Sequence, residues 1–173
     1  MKKTVALILA VALFALCLTA CNSGPDFEDM FDERGVEFVE NELSTPERMT
    51  FAALASEDTL EVYEVGYEGD TVREIYKTFY LNIEQYDQSQ RESVKQAMQN
   101  SFAAAEEFSD ITITHELTDK YYVMRARIIK LDTVSMLVDA IECGLIEYMP
   151  EGVQVLAISD VESALTAQGF VKR

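Results

Sequence analysis

The chain has no tryptophan and one histidine, His115, in 173 residues. Without tryptophan it lacks the commonest platform for stacking a sugar ring. One histidine and three scattered cysteines fall short of the four Cys/His ligands of a structural zinc site and of the clustered set a catalytic zinc requires. A Ser/His/Asp hydrolase would have to use His115 as its base, and no Gly-x-Ser-x-Gly turn exists to present a nucleophile. No Walker loop or Rossmann fingerprint occurs, and the EF-hand ligand spacing is absent. Basic residues are scarce, 14 Lys and Arg against 31 Asp and Glu, for a net charge of −17. That balance argues against nucleic acid, which needs clustered Lys and Arg. It argues equally against electrostatic adhesion to anionic headgroups. The plain consequence is solubility and self-repulsion on a crowded surface, preferred over an acidic ligand-binding face.

Long apolar runs are also missing, with one exception at the N-terminus. Lys2 and Lys3 precede an unbroken apolar stretch over residues 5–18. A basic start, roughly 7–15 apolar residues and a small-residue cleavage region define a secretory signal. A spanning helix needs about 20. The stretch ends in Leu18, Thr19, Ala20 and Cys21, which reads as a bacterial lipobox. Residues 1–20 are therefore expected to be a lipoprotein signal peptide, cleaved once Cys21 carries a thioether diacylglycerol and, in many cases, an amide-linked third chain. Two or more acyl chains give stable attachment where one does not. The expected location is the extracytoplasmic face of a cell membrane, and the expected partner is the bilayer itself. Loss of Lys2 and Lys3 with the leader takes the net charge from −17 to −19.

Of the three cysteines, Cys17 leaves with the leader and Cys21 is modified, so Cys143 has no intramolecular partner. Among Ala140, Ile141, Leu145 and Ile146 it reads as a small buried residue rather than a reactive thiol. At this length one domain with a real core is the default. Residues 21–48 carry nine acids against Arg34 and Arg48 and read as an acidic tether. Phe27, Met30, Phe31, Val36, Phe38 and Val39 within it predict partial order, as a short helix or strand on the domain.

From Met49 the pattern becomes β. Residues 49–54 predict a short strand. Residues 59–67 and 71–83 predict a hairpin, with Glu68, Gly69 and Asp70 at its turn. A capping box from Ser89 to Glu92 opens a predicted helix whose Val94, Ala97, Met98, Phe102, Ala105 and Phe108 form one stripe. Residues 111–117 and 121–131 predict a second hairpin, with Tyr122, Met124, Ala126 and Ile128 on one face and Arg125 and Arg127 on the other. Asp132 is the expected cap of a further helix weakened at its end by Gly144. After a turn at Pro150, Glu151 and Gly152, residues 153–158 predict a last strand. A second capping box from Ser159 to Glu162 opens a terminal helix that Gly169 stops, with Phe170 folding back on it. The fold class is α+β over residues 49–173: an antiparallel sheet of two hairpins plus short edge strands, with helices packed on one face.

With its lipobox, its paired strands around Tyr67, Glu68, Gly69, Asp70, Thr71 and Val72, its helix after Tyr86, its hairpin containing His115 and its ending from Ile158 through Leu165 to Gly169 and Phe170, the chain resembles the YehR-like bacterial lipoproteins. The resemblance runs from about Phe51 to the C-terminus. It implies a membrane-tethered α+β domain and brings no catalytic or ligand-binding residues with it.

Candidate chemistry is thin. Alternation places His115 on the apolar face with Ile111, Ile113 and Leu117, where a buried imidazole with a hydrogen-bond partner is the simplest reading. With 31 acids, carboxylate pairs occur by chance, and a glycosidase pair has defined geometry. A calcium site around Glu68, Gly69 and Asp70 is less economical than a solvated turn. Tyr63, Tyr67, Tyr76, Tyr80, Tyr121 and Tyr122 fall on predicted strands, where aromatics usually pack across neighbours. On an uncovered face they would be the first binding candidates. The sequence therefore predicts a non-catalytic binding or structural role at the cell envelope, with a protein or small-ligand partner and no cofactor, metal or nucleic acid. The alternative is an envelope hydrolase using His115 or a carboxylate pair.

Overall fold

The computed structural model describes residues 26–146 and 155–173. The leader, the lipobox with Cys21, and the turn at Pro150, Glu151 and Gly152 lie outside the described residues. Six antiparallel strands form one sheet: β1 (Glu47–Ser56), β2 (Thr59–Glu68), β3 (Thr71–Asn82), β4 (Ile111–Leu117), β5 (Tyr121–Ile129) and β6 (Val171–Lys172). Their spatial order is β4-β5-β3-β2-β1-β6. Four helices accompany them: α1 (Phe27–Asp32), α2 (Gln88–Ser101), α3 (Val134–Glu142) and α4 (Ile158–Ala167), with a 3-10 turn at Ala103–Glu107. The fold is α+β.

The two expected hairpins are present, and the first is extended by β1 into a three-stranded meander. β1 is ten residues long and lies between β2 and β6 rather than at an edge. Gly69 takes φ +63° at the first position of the β2–β3 turn, the conformation glycine adopts without steric cost. The register shifts at Gly66–Tyr67, where Gly66 faces Glu74 but Tyr67 faces Val72, so Arg73 is a bulge residue. The bulge turns Val72 toward Ile75, Tyr63 and Val65 in the core.

One face of the sheet is covered by α3 and α4. Met136, Leu137 and Ala140 from α3 and Ile158, Val161 and Leu165 from α4 meet Phe51, Val65, Ile75, Ala126 and Ile128. Those helical spacings of three and four make one apolar stripe on each helix. The terminal helix closes as expected: Gly169 is left-handed, and Phe170 N donates to Leu165 O at 3.0 Å while its ring meets Tyr63 edge-on.

The expectation that helices cover only one face is corrected. Residues 27–46 lie on the second face, so the expected tether is part of the folded body from Phe27 on. Phe27, Met30 and Phe31, spaced three and four apart, bury α1 against Ala52, Leu60, Val62, Tyr80, Tyr121 and Val123. Asp26 caps this helix by accepting from Asp29 N at 2.9 Å. Residues 36–46 then cross the sheet as an extended arm without regular secondary structure.

Three local expectations fail for identifiable reasons. The cap of α2 is Asp87, paired with Gln90 in a reciprocal box at 2.9 Å each way, two residues ahead of the Ser89–Glu92 pattern. Asp132 does not cap α3; it pairs with Arg73, and Thr133 stands at the cap. The described part of the last predicted strand contributes a single bridge, Ala157 to Thr71, and helix α4 begins at Ile158 without a Ser159 box. Val72 N to Leu156 O (2.9 Å) and Ile158 N to Asp70 O (3.0 Å) fix that junction.

Candidate functional site

The second face of the sheet carries the most unusual chemistry. Glu64 on β2 and Glu74 on β3 are both 1% exposed, although each is a carboxylate in a strand interior. The β2–β3 pairing sets Glu64 opposite Tyr76 and Gly66 opposite Glu74, which makes the two acids diagonal neighbours on one face. Burying a charge is costly unless hydrogen bonds and an opposite charge compensate. Here the arm supplies most of that compensation.

Glu64 accepts from Asn41 N at 2.9 Å and from Asn41 Nδ2, with Arg48 Nη1 at 3.8 Å. Arg48 in turn holds Glu40 at 2.6 Å and Asn41 O at 2.8 Å. Glu74 accepts from Ser44 N, Ser44 Oγ (2.8 Å), Thr45 N (3.1 Å) and Arg127 Nη2 (3.2 Å). Burial raises the Glu64 carboxyl above its ordinary value, and the Asn41 bonds and Arg48 only partly offset this. At Glu74 burial also pushes upward, but the bonds from Ser44, Arg127 and Thr45 win and hold it below the ordinary value. Gly66 makes this seat possible: a Cβ there would collide with Thr45 Oγ1 and come within 2.8 Å of Glu74 Cγ.

Beyond the arm a polar sector of the same face stays open. Arg127 stacks on Tyr76 at 5.4 Å, and Tyr76 Oη reaches Glu42 O at 3.4 Å. Arg125 pairs with Glu116 at 3.0 Å, beside exposed Thr112 and Thr114. Of the six strand tyrosines, Tyr63, Tyr80, Tyr121 and Tyr122 are buried, and Tyr67 is half-buried against the helix-covered core. Only Tyr76 combines partial exposure with a place on the second face. Tyr121 Oη donates to Arg34 O, tying α1's end to β5.

His115 lies on the apolar face, as alternation predicts. It is half-buried, and its Nδ1 is hydrogen-bonded to the hydroxyl of Tyr122. Burial lowers the imidazole pKa against the opposing pull of Glu106 and pushes the Tyr122 hydroxyl up to about 12. With the ring neutral and its proton on Nε2, Nδ1 accepts a hydrogen bond from the Tyr122 hydroxyl, which keeps its proton. Cys143 is half-buried against the core, and burial raises its thiol pKa, the opposite of nucleophile activation. Among the described residues no three His, Cys, Asp or Glu gather as metal ligands. A shallow cavity of about 270 Å³ lies between the 3-10 turn and α3, lined by Glu107, Phe108, Asp110, Thr133, Met136 and Asp139. No helix among the described residues is long and apolar enough to cross a membrane.

Sequence reasoning did not single out Glu64 and Glu74. A usable signal existed for Glu64, which continues the alternate-residue series of Leu60 and Val62 and so falls on their face of the strand.

The layered arrangement, a meander and a hairpin in one antiparallel sheet with helices on the core face, defines an α+β class shared with solved proteins. The NMR structure of Escherichia coli YehR superposes with a TM-score of 0.60 at 16% identity, covering 75% of this chain and 93% of that one. An NMR structure of a protein from Streptococcus pneumoniae TIGR4 does so with a TM-score of 0.52 at 15% identity, covering 80% and 92%. The chain therefore has a YehR-like fold. No family model and no curated protein sequence matches it.

Proposed function

We propose that the protein is a YehR-like lipoprotein, held by acyl chains on Cys21 at the extracytoplasmic face of the cell membrane, with a non-catalytic binding or structural role in the envelope. The lipobox from Leu18 to Cys21 supports the anchoring. The absence of catalysis is supported by one observation: the candidate bases Glu64, Glu74 and His115 each hydrogen-bond within the protein. Glu64 and Glu74 bond to the arm, and His115 bonds to Tyr122. A general base must reach the substrate's proton; the two carboxylates face the arm, and His115 has Nδ1 committed to Tyr122.

Binding would use the open sector around Tyr76, Arg125 and Arg127, where a ring face, two guanidinium groups and threonine hydroxyls suit a polar ligand or peptide. Labelling cells with an alkyne palmitate analogue tests the anchor: wild type takes up label and Cys21→Ala does not. A thermal-shift screen against envelope fragments, peptides and divalent ions tests binding. Turnover of an ester, amide or glycoside substrate that is lost in His115→Ala or Glu74→Gln would establish the hydrolase reading instead.

A further inference from the structure

The docking of α1 sets how the anchored domain is oriented. From Phe27 on, the chain is fixed to the sheet, and only residues 22–26 separate it from Cys21. Whatever their conformation, the six spans from Cys21 to Phe27 reach at most about 21 Å. A domain of about 150 residues has a radius of gyration of about 15 Å and is roughly 40 Å across. The link is thus shorter than the body it holds, and the body cannot turn freely beneath it.

The start of α1 sits at one edge of the sheet. Arg173, directly after β6, pairs with Glu28 at 3.4 Å and stacks over Phe27 at 5.6 Å. Strand β4 is the opposite edge, five inter-strand gaps away, or about 24 Å. We infer that the acylated protein rests with its β6 edge nearest the bilayer and its β4 edge outward, so that β4, with Thr112 and Thr114, is the part of the sheet offered farthest from the membrane. This rests on the lipidation reading above. The exposed acids of α1 and its C-cap, Glu28, Asp29, Asp32 and Glu33, repel anionic headgroups, so the short link and not adhesion fixes the orientation.

The test uses the full acylated chain in phosphatidylethanolamine–phosphatidylglycerol vesicles containing an acceptor-labelled headgroup. In a Cys143→Ser background, a donor dye is placed at Lys172→Cys on β6 or at Thr114→Cys on β4. The expected result is stronger energy transfer from position 172, with the difference vanishing when a flexible Gly/Ser insert of about 25 residues follows Ser23. Equal or reversed transfer in vesicle-bound protein overturns the orientation while the anchor stands. A difference that survives the insert overturns it too, because surface adhesion would then be responsible. Protein that fails to float with the vesicles, as Cys21→Ser must, removes the lipidation reading and the inference together.

Discussion

Glu64 and Glu74 are the same side chain on adjacent strands, yet their surroundings move them in opposite directions. Glu74 receives bonds from Ser44, Thr45 and Arg127 and is held below its ordinary value. Its contribution to stability is therefore fully present above the ordinary carboxylate value of 4.5 and is lost as pH falls through the lower folded-state value. Glu74→Gln removes the charge that Arg127 meets and is expected to cost about 2 kcal/mol in urea unfolding at pH 7. The gap from wild type should stay constant down to about pH 4.5 and narrow below it. Glu64 is raised by burial, so its charged form is disfavoured in the folded protein and its contribution grows as pH falls. Glu64→Gln should cost less than Glu74→Gln at neutral pH, and a reversed order would show that the arm does not discriminate between the two acids in this way. His115 carries a further pH dependence. Its lowered pKa means the unfolded chain takes up the proton more readily, so stability falls as pH drops from about 7 through 6.5. His115→Gln is expected to remove that part of the profile.

Elements differ in what holds them. α2 has no buried residue; it leans on half-buried Val94 and Met98 and on its Asp87–Gln90 box. Asp87→Ala is expected to weaken this helix by about 1 kcal/mol. The change should appear as faster amide exchange over Gln88–Ser101 with the sheet amides unaffected, since local opening of a weakly packed element need not involve the core. α1 is the reverse case, short but anchored by Phe27, Met30 and Phe31. The contrast shows how far the sequence could be read. The hairpins, the split of Tyr122 and Met124 from Arg125 and Arg127, and the Gly169–Phe170 stop all follow from alternation and turn chemistry, which are local. The placement of α1 was not legible, because Phe27 and Phe31 say only that the segment seeks an apolar partner. The partner surface comes from Leu60, Val62, Tyr80 and Val123 on three separate strands. The starts of α2 and α4 each lie within two residues of the expected one: at α2 the competing Asp87–Gln90 box wins locally, and at α4 the bond from Ile158 N to Asp70 O sets the start without a side-chain cap. Glu64 shares the alternation of Leu60 and Val62, but Glu74 follows the register shift at Gly66–Tyr67, and among 31 acids only the strand pairing and the arm show that both are buried.

At the scale of the whole molecule the dominant fact is charge. The chain carries 31 acids against 14 basic residues, and the arm lays Glu37, Glu40 and Glu42 across a face that already holds Glu64 and Glu74. Most of the described ion pairs that answer this excess are exposed, such as Arg125–Glu116, Lys130–Asp110 and Lys172–Glu162, and exposed pairs contribute about 0–1 kcal/mol each. Salt screens both contributions, but they do not cancel. The attractive pairs are few and short-ranged, while the repulsion sums over every acid on the surface and extends to the Debye length, about 30 Å at 0.01 M and about 8 Å at 0.15 M. Screening should therefore stabilise the fold. Raising sodium chloride from about 0.01 M to 0.15 M at constant pH is expected to raise the Tm by several degrees, with most of the gain at the low-salt end. Glu74 itself is 1% exposed and takes most of its hydrogen bonds from Ser44 and Thr45, with only the Arg127 end of its ion pair open to solvent, so the cost of Glu74→Gln should change less with salt than the Tm does. If added salt lowered the Tm, the surface ion pairs would outweigh the net repulsion, and the arm would be held mainly by Arg48 and Arg173 rather than by the buried apolar side chains of α1.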